Sequence, residues 1–338
     1  MKASSREDPI LVAGAGGFIG GWLVRHLHDL GYPNLRAVDI KPFAEWHQMV
    51  PGVPSFSSDL RSRAACEDAV RGVKQVYNLA CDMGGMGFIE ANRSRCMVSV
   101  LINTHLLMAG QEEGVARHFF SSSACVYNVE RQRESNVTAL REEDAYPALP
   151  EDGYGWEKLF SERMCRNFYS DYGLETRIAR YHNVYGPHGT YDGGREKAPA
   201  AICRKVATAK VAGTDEIEIW GDGEQSRSFM YIDDCLYGTV RVMESEIREP
   251  INVGSSELVT INQLVDIVEE IAGVRLKRRY LLDAPKGVRG RNSDNTLIRQ
   301  HLGWEPSTPL AEGLEKTYAW IHDELMSSAD GLRSAEAG

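Results

Sequence analysis

Three glycines decide most of what this chain can become. Gly14, Gly17 and Gly20 stand in the run GAGGFIG, directly after the apolar stretch Ile10–Ala13 and at the opening of an amphipathic helix expected over 18–30. Such a triplet at a strand-to-helix junction permits a tight turn, brings the backbone close to a ligand and aims helix N-terminal amides at a phosphate. Asp39 ends the next expected strand, 35–40, where a carboxylate can accept hydrogen bonds from ribose hydroxyls and repels a 2′-phosphate. The pattern points to NAD rather than NADP, with Gly14, Gly17, Phe18, Ile19, Gly20 and Asp39 around it. Asp59 and Leu60, at the end of a third strand (55–60), are weaker candidates for the adenine, since Asp59 reads equally well as a turn cap. Leu79 and Ala80, closing a fourth strand (75–80), complete the candidate cofactor set. A glycine turn that only permits packing is the alternative.

The alternation continues through the first half, with helices expected at 66–71, 101–113 and 154–172 and strands at 118–122 and 176–181. Strand and helix in alternation specify an α/β fold, and right-handed crossovers leave a doubly wound parallel sheet of Rossmann type. The later chain is less regular, with helices at 261–271 and 310–326 and a short strand near 279–282. We expect an NAD-binding domain over 8–185, a smaller substrate lobe over 186–326 with segments returning to the main sheet, and a disordered tail over 327–338.

Acidic residues outnumber basic ones, 48 to 38, for a net charge of −10. That field repels nucleic acid and anionic membrane, so neither is an expected partner. No apolar run approaches the ~20 residues that cross a bilayer, and the polar start MKASSREDP lacks the hydrophobic centre of a secretory signal. The seven cysteines are odd in number and lack close CxxC pairs, and the nine histidines show no metal-ligand spacing. The expectation is a cytoplasmic protein with reduced thiols and no metal.

Tyr154 and Lys158 lie four apart on one helical face. An ammonium beside a phenol lowers its pKa from about 10 toward neutrality. The phenol can then take a hydroxyl proton while hydride leaves for a nicotinamide. The spacing alone is common by chance. Joined to the glycine loop and to Ser123 at a strand end, it resembles the short-chain dehydrogenase/reductase superfamily in its extended, nucleotide-sugar form. That resemblance implies that Ser123 orients the substrate hydroxyl while Tyr154 and Lys158 work against the cofactor.

Other segments narrow the likeness. Ser122-Ser123-Ala124-Cys125-Val126-Tyr127, Asp82-Met83-Gly84-Gly85-Met86-Gly87 and Gly193-Gly194-Arg195-Glu196-Lys197-Ala198-Pro199 closely resemble the GDP-mannose 3,5-epimerase family, as do Trp220-Gly221-Asp222-Gly223 and Val288-Arg289-Gly290-Arg291. The likeness runs over roughly residues 10–325. It implies interconversion of GDP-α-D-mannose and GDP-β-L-galactose, with GDP-L-gulose as the C5-only product, by transient oxidation at C4 with bound NAD. Cys125 is implied as base and Lys197 as acid for the C5 and C3 inversions. The residues implied against substrate are Gly84, Ser123, Ala124, Cys125, Asn183, Glu196, Lys197, Ala198, Lys205, Gln225 and Arg227, with Arg291 on the diphosphate. The chemistry suits these types: a C4 ketone makes both neighbouring C–H bonds acidic, and a thiol and an ammonium can each be tuned toward neutral pH. A homodimer across helices 101–113 and 154–172 is also implied.

Without the resemblance, Cys125 reads as a core thiol, Lys197 as a solvated loop charge, and Arg291 with Asp294 as an i,i+3 helix pair. Cys66, Cys81, Cys96, Cys165 and Cys235 read as structural. Two other functions stay open. One is another NAD-dependent nucleotide-sugar epimerase or dehydratase, such as a UDP-sugar 4-epimerase, which needs neither Cys125 nor Lys197. The other is a non-catalytic NAD-binding sensor, for which a Ser–Tyr–Lys relay has no use. Many extended members carry an asparagine near the start of the helix at 101–113; Ser99 or Val100 stands there, and residues 41–54, with Trp46, carry no expected function.

Overall fold

The computed structural model describes the backbone of residues 5–336 and side chains as far as 327. The first half contributes β1 (Ile10–Ala13), α1 (Phe18–Asp29), β2 (Leu35–Asp39), β3 (Ser55–Ser57), α2 (Arg63–Val70) and β4 (Gln75–Asn78). It continues with α3 (Met86–Ala91), α4 (Arg93–Met97), α5 (Val100–Glu113), β5 (Arg117–Ser123), α6 (Tyr154–Tyr172) and β6 (Glu175–Tyr181). After β7 (Val184–Tyr185) come α7 (Ala198–Ala212), β8 (Glu216–Trp220), β9 (Ser226–Ser228), β10 (Met230–Tyr231), α8 (Ile232–Glu244) and β11 (Ile251–Val253). The chain closes with β12 (Leu258–Thr260), α9 (Ile261–Ala272), β13 (Lys277–Leu281), β14 (Gly290–Arg291), α10 (Thr296–Leu302) and α11 (Leu310–Glu336).

Seven strands form one sheet in the order β11-β6-β5-β4-β1-β2-β3, parallel throughout. This is the doubly wound order, with its reversal between β1 and β4. Successive strand side chains point to opposite faces, so neighbours enter different cores. Val12 and Phe119 join the core that holds α1 and α8; Leu11 and Phe120 join the one under α2, α5 and α6. β11 reaches this sheet from the late chain and pairs with β6. The remaining strands make small sheets: β9 between β12 and β14, β8 beside β13, and β7 beside β10.

Three differences from the sequence reading have plain causes. β3 ends at Ser57: the Ser58 amide makes the last ladder bond, to the Asp39 carbonyl, and Asp59 then opens a turn by accepting the Arg61 amide. α7 and α8 occupy stretches read as irregular; both faces of α7 carry alanine, which blurs its apolar stripe. The last helix runs to Glu336 rather than ending near Met326, through a segment without proline. No described helix is long and apolar enough to cross a membrane.

One buried ion pair fixes the helix that matters most. Arg180 on β6 donates from Nε and Nη2 to both Glu162 oxygens of α6, at 2.9 and 2.7 Å, and Ser122 donates to the same carboxylate. A bidentate pair of this kind sets the rotation of α6 against the sheet, and hence where Tyr154 points.

Candidate active site

The glycine loop is built for close approach. Gly14 adopts φ +87° and donates to the Val38 carbonyl at 2.8 Å. A Cβ on Gly20 would lie 2.0 Å from the Gly14 oxygen, and one on Gly14 would meet Leu79 and Ala80 at 2.8 Å. Phe18 and Ile19 open α1, partly buried. Asp39 reaches the loop from the end of β2, its carboxylate accepting from the Gly16 and Lys41 amides at 3.1 and 3.0 Å. Trp46 covers the outside of the loop, where a Cβ on Gly16 would come within 2.6 Å of its indole nitrogen, and donates to the Lys41 carbonyl. Residues 41–54 thus form an outer wall of the dinucleotide loop. Asp59 is gripped by Arg61, which donates at 2.9 and 2.7 Å, and also caps its own turn; Leu60 is buried.

At the carboxyl end of β5 the second cluster assembles. Ser123 is the last strand residue, and its hydroxyl accepts the Cys125 amide at 3.2 Å, which folds Ala124–Val126 into a tight helical turn. Ser123 also faces Tyr154, the first residue of α6. Lys158 follows one turn later, fully buried, 4.7 Å from the Phe120 ring centre and 5.5 Å from that of Tyr154. Its ammonium lies 3.4 Å from Glu157 and also faces Cys81. Burial would lower it, but Cys81 and Glu157 outweigh burial and hold it above its ordinary range. The phenol itself is pushed well up, first by burial and then by Cys81, Cys125 and Glu157, with Ser123 opposing. The simple expectation that Lys158 brings it toward neutrality is therefore not met in this protein by itself. Cys81, read from sequence as structural, borders Tyr154, Lys158 and Lys197.

Cys125 and Lys197 lie near enough for the thiol to influence the ammonium electrostatically. Burial lowers Lys197, opposed by the thiols of Cys125 and Cys81. Burial pushes the Cys125 thiol up to about 11, Glu151 adds to the rise, and Arg291 opposes it. Lys197 is placed as the residue preceding α7, whose first turn begins with Ala198 and Pro199. Glu196 beside it points elsewhere, accepting the Gly194 amide at 2.7 Å and facing Arg204. The two glycine-rich loops lock together: Gly85 donates to the Arg195 carbonyl at 2.9 Å, and a Cβ there would meet the Glu196 oxygen at 2.3 Å. Gly84 packs against Phe88 with equally little room.

The remaining candidates spread along the late chain. Asn183 takes φ 43° and donates to the Ser228 carbonyl, tying β9 to the sheet end. Lys205 donates to the Glu218 carbonyl at 2.7 Å beneath Trp220, and Gln225 donates to the Trp220 carbonyl, leaving its own carbonyl oxygen buried without a donor among the described residues. Arg227 is held by the carbonyls of Ser226, Lys286 and Val288; burial and then Arg291 bring it down to about 10. Arg291 lies in a strand, not a helix, so it forms no i,i+3 pair with Asp294; its partners are Gln132 at 2.7 Å, Glu151 at 2.5 Å and the Cys125 sulfur at 3.5 Å.

Sequence reading missed Glu151 and Gln132, which meet Arg291 from 140 and 159 residues away. The only hint was an arginine in need of a counter-charge. It also missed Asn103, whose amide oxygen accepts from Asn78 and faces His118. Its amide nitrogen faces α6.

The family model described as NAD dependent epimerase/dehydratase matches residues 10–254. The chain belongs to that family. Among curated relatives, GDP-mannose 3,5-epimerase 1 of Oryza sativa subsp. japonica is 45% identical over 95% of this chain and 83% of its own. The GDP-mannose 3,5-epimerase of Arabidopsis thaliana is 44% identical over 95% and 84%. The solved UDP-glucose 4-epimerase of Thermotoga maritima, with UDP-glucose, matches at TM-score 0.84 and 26% identity, covering 94% of this chain and 99% of that one. This member of the family is an epimerase, and NAD is its cofactor. Its residues are compatible with the dinucleotide: Gly14 and Gly20 let the loop fold tightly on its own backbone at the opening of α1, and the Asp39 carboxylate stands at the loop's edge.

Proposed function

We propose that this epimerase converts GDP-α-D-mannose to GDP-β-L-galactose, releasing GDP-L-gulose when only C5 is inverted. The observation that carries the reading is a thiol and an ammonium, Cys125 and Lys197, interacting beside the Ser123–Tyr154–Lys158 group. Bound NAD supplies the hydride acceptor that oxidises C4 and later reduces it again. Gly14, Gly17, Gly20 and Asp39 hold that dinucleotide, and Trp46 walls it in. Ser123 aligns the C4 hydroxyl and Tyr154 takes its proton, with Lys158 supporting the phenol. The ketone so formed acidifies the C5 and C3 protons. Cys125 removes them and Lys197 delivers protons to the opposite face.

Residues beyond 186 hold the nucleotide end. Lys205, Gln225 and Arg227 line that side, and Arg291 stands between the diphosphate and Cys125. A UDP-sugar 4-epimerase is the second reading, favoured by the Thermotoga likeness, but a 4-epimerase gives Cys125 and Lys197 no task. The protein works in the cytoplasm, where its seven cysteines stay free. It acts as a homodimer, with the exposed Met97, Val98 and Leu101 of one copy against Trp156 and Phe160 of another.

Supplying GDP-mannose and UDP-glucose separately and identifying the hexose of each nucleotide-sugar product tests this directly. GDP-galactose and GDP-gulose from the first alone support it. Turnover of UDP-glucose alone overturns it.

A further inference from the structure

A lysine taken fully out of water loses its proton unless a negative charge stands beside it. Lys158 is in that position, its side chain 1% exposed and its ammonium 4.7 Å from the centre of the Phe120 ring. The group that answers it is Glu157, the preceding residue in the first turn of α6, which has no part in the proton transfers assigned above. Its side chain is equally buried, and its Oε2 lies 3.4 Å from the Lys158 ammonium. The other oxygen is fixed by the Ser161 hydroxyl, which donates to it at 3.0 Å from one turn further along the helix. Oε2 accepts no hydrogen bond among the described residues, so the ammonium is what its charge meets. Neither residue has another ion-pair partner among the described residues. Cys81, in the loop after β4, also faces Lys158, but burial pushes that thiol up, so near neutral pH it brings no charge.

We propose that Glu157 is the fixed counter-ion of Lys158 and a positioning residue for the C4 redox step, setting the pH range over which Tyr154 and Lys158 work. The phenolate of Tyr154 takes the C4 hydroxyl proton while the ammonium beside it is still charged. The pair is therefore a coupled titration, with a lower limb where the phenol ionises and an upper limb where the ammonium is lost. A standing carboxylate disfavours the loss of either proton. It holds Lys158 charged despite burial, and it adds to the rise of Tyr154. Both limbs sit higher than they would without it. The groups facing Lys158 are Glu157, Tyr154 and Cys165 of α6 and Cys81 of the loop after β4. Tyr154 also faces Ser123, Cys81 and Cys125, and Glu157 faces Cys96 of α4. The proposal rests on transient C4 oxidation, the step that a GDP-mannose 3,5-epimerase and a UDP-sugar 4-epimerase share, and not on the identity of the sugar.

Glu157→Gln keeps an acceptor for Ser161 and removes the charge. NADH formation by the NAD-loaded enzyme in a single turnover of GDP-mannose is followed by absorbance against pH. Both limbs of the profile are expected to move to lower pH by about one unit. A profile whose limbs stay at the wild-type pH, whatever its height, overturns the proposal. Lys158 is also titrated directly, by NMR of the NAD-loaded protein carrying lysine isotope-enriched at Cε, its signal identified by loss in Lys158→Arg. Its titration is expected at least about one pH unit lower in Glu157→Gln than in wild type, and an equal value overturns the proposal. If Glu157→Gln does not fold, Glu157→Asp, its carboxylate withdrawn by one methylene, is expected to show a smaller shift in the same direction; no shift overturns it. UDP-glucose is run in parallel. NADH from UDP-glucose alone overturns the substrate assignment, and the limbs are then read with that sugar. No NADH from either sugar overturns the redox role, and the Lys158 titration still decides the ion pair.

Discussion

Arg195 donates to Asp82 at 2.7 Å, and through that pair the two glycine-rich loops on either side of the cleft are held as one unit. Arg195 also donates to the Met83 carbonyl and stacks 3.8 Å from the centre of the Phe88 ring. Both partners of the ion pair are about a third exposed (34% and 30%), so it contributes little to global stability, about 1 kcal/mol or less. Its effect falls on the site. Arg195→Met is expected to raise KM for the nucleotide sugar about tenfold while kcat and Tm change little. Steady-state kinetics beside a thermal melt checks this, and an unchanged KM would refute it.

Oxidation and inversion are assigned to different side chains. Tyr154→Phe is expected to abolish NADH formation on the enzyme and reduce turnover by at least about a hundredfold. Cys125→Ala is expected to form enzyme-bound NADH normally yet release no inverted sugar. Absorbance of NADH in a single turnover distinguishes the variants. Normal epimerisation by Cys125→Ala would move the base to another group, with Cys81 a second thiol bordering Tyr154.

Asp39 accepts the Gly16 amide and, in the function proposed above, also meets the ribose. Asp39→Ala is expected to weaken NAD binding about tenfold or more and to narrow the preference over NADP, since the repelling carboxylate is gone. Titration of each dinucleotide by tryptophan fluorescence measures both. Unchanged selectivity would remove Asp39 from the cofactor site.

His118 and His182 are fully buried, and burial brings each down to about 3 from 6.5. Below pH 6.5 the unfolded chain therefore binds protons that the folded protein refuses. Stability is complete above that point and falls with decreasing pH until the folded value near 3, by about 1.4 kcal/mol per pH unit for each histidine. His118→Gln is expected to reduce the slope by about one proton, read from urea midpoints between about pH 7 and about pH 4. An unaltered slope would mean that the imidazole titrates normally.

The sheet was readable because its cause is local. The apolar run Ile10–Ala13, the glycine turn and the acid at Asp39 each announce themselves within a few residues, and α6 falls on the stretch expected for it. Ser123, Tyr154 and Lys158 were findable for the same reason, since strand end and helix spacing place them. What brings Arg291 to Cys125 is tertiary: β14 pairs with β9, and Gln132 and Glu151 close around the guanidinium from distant loops. No periodicity encodes that meeting. The late helix α7 escaped for a milder reason: alanine on both of its faces blurs the apolar stripe, although Gly193 and Gly194 precede it and Pro199 stands in its first turn.

The claim at the centre is that one active site inverts both carbons flanking a transient C4 ketone. Incubating the enzyme with GDP-mannose in deuterated water and following the sugar by NMR tests it most directly. The account predicts deuterium at both C3 and C5 as GDP-galactose appears. Product without deuterium at either carbon, or no exchange by the NAD-loaded enzyme, would contradict it.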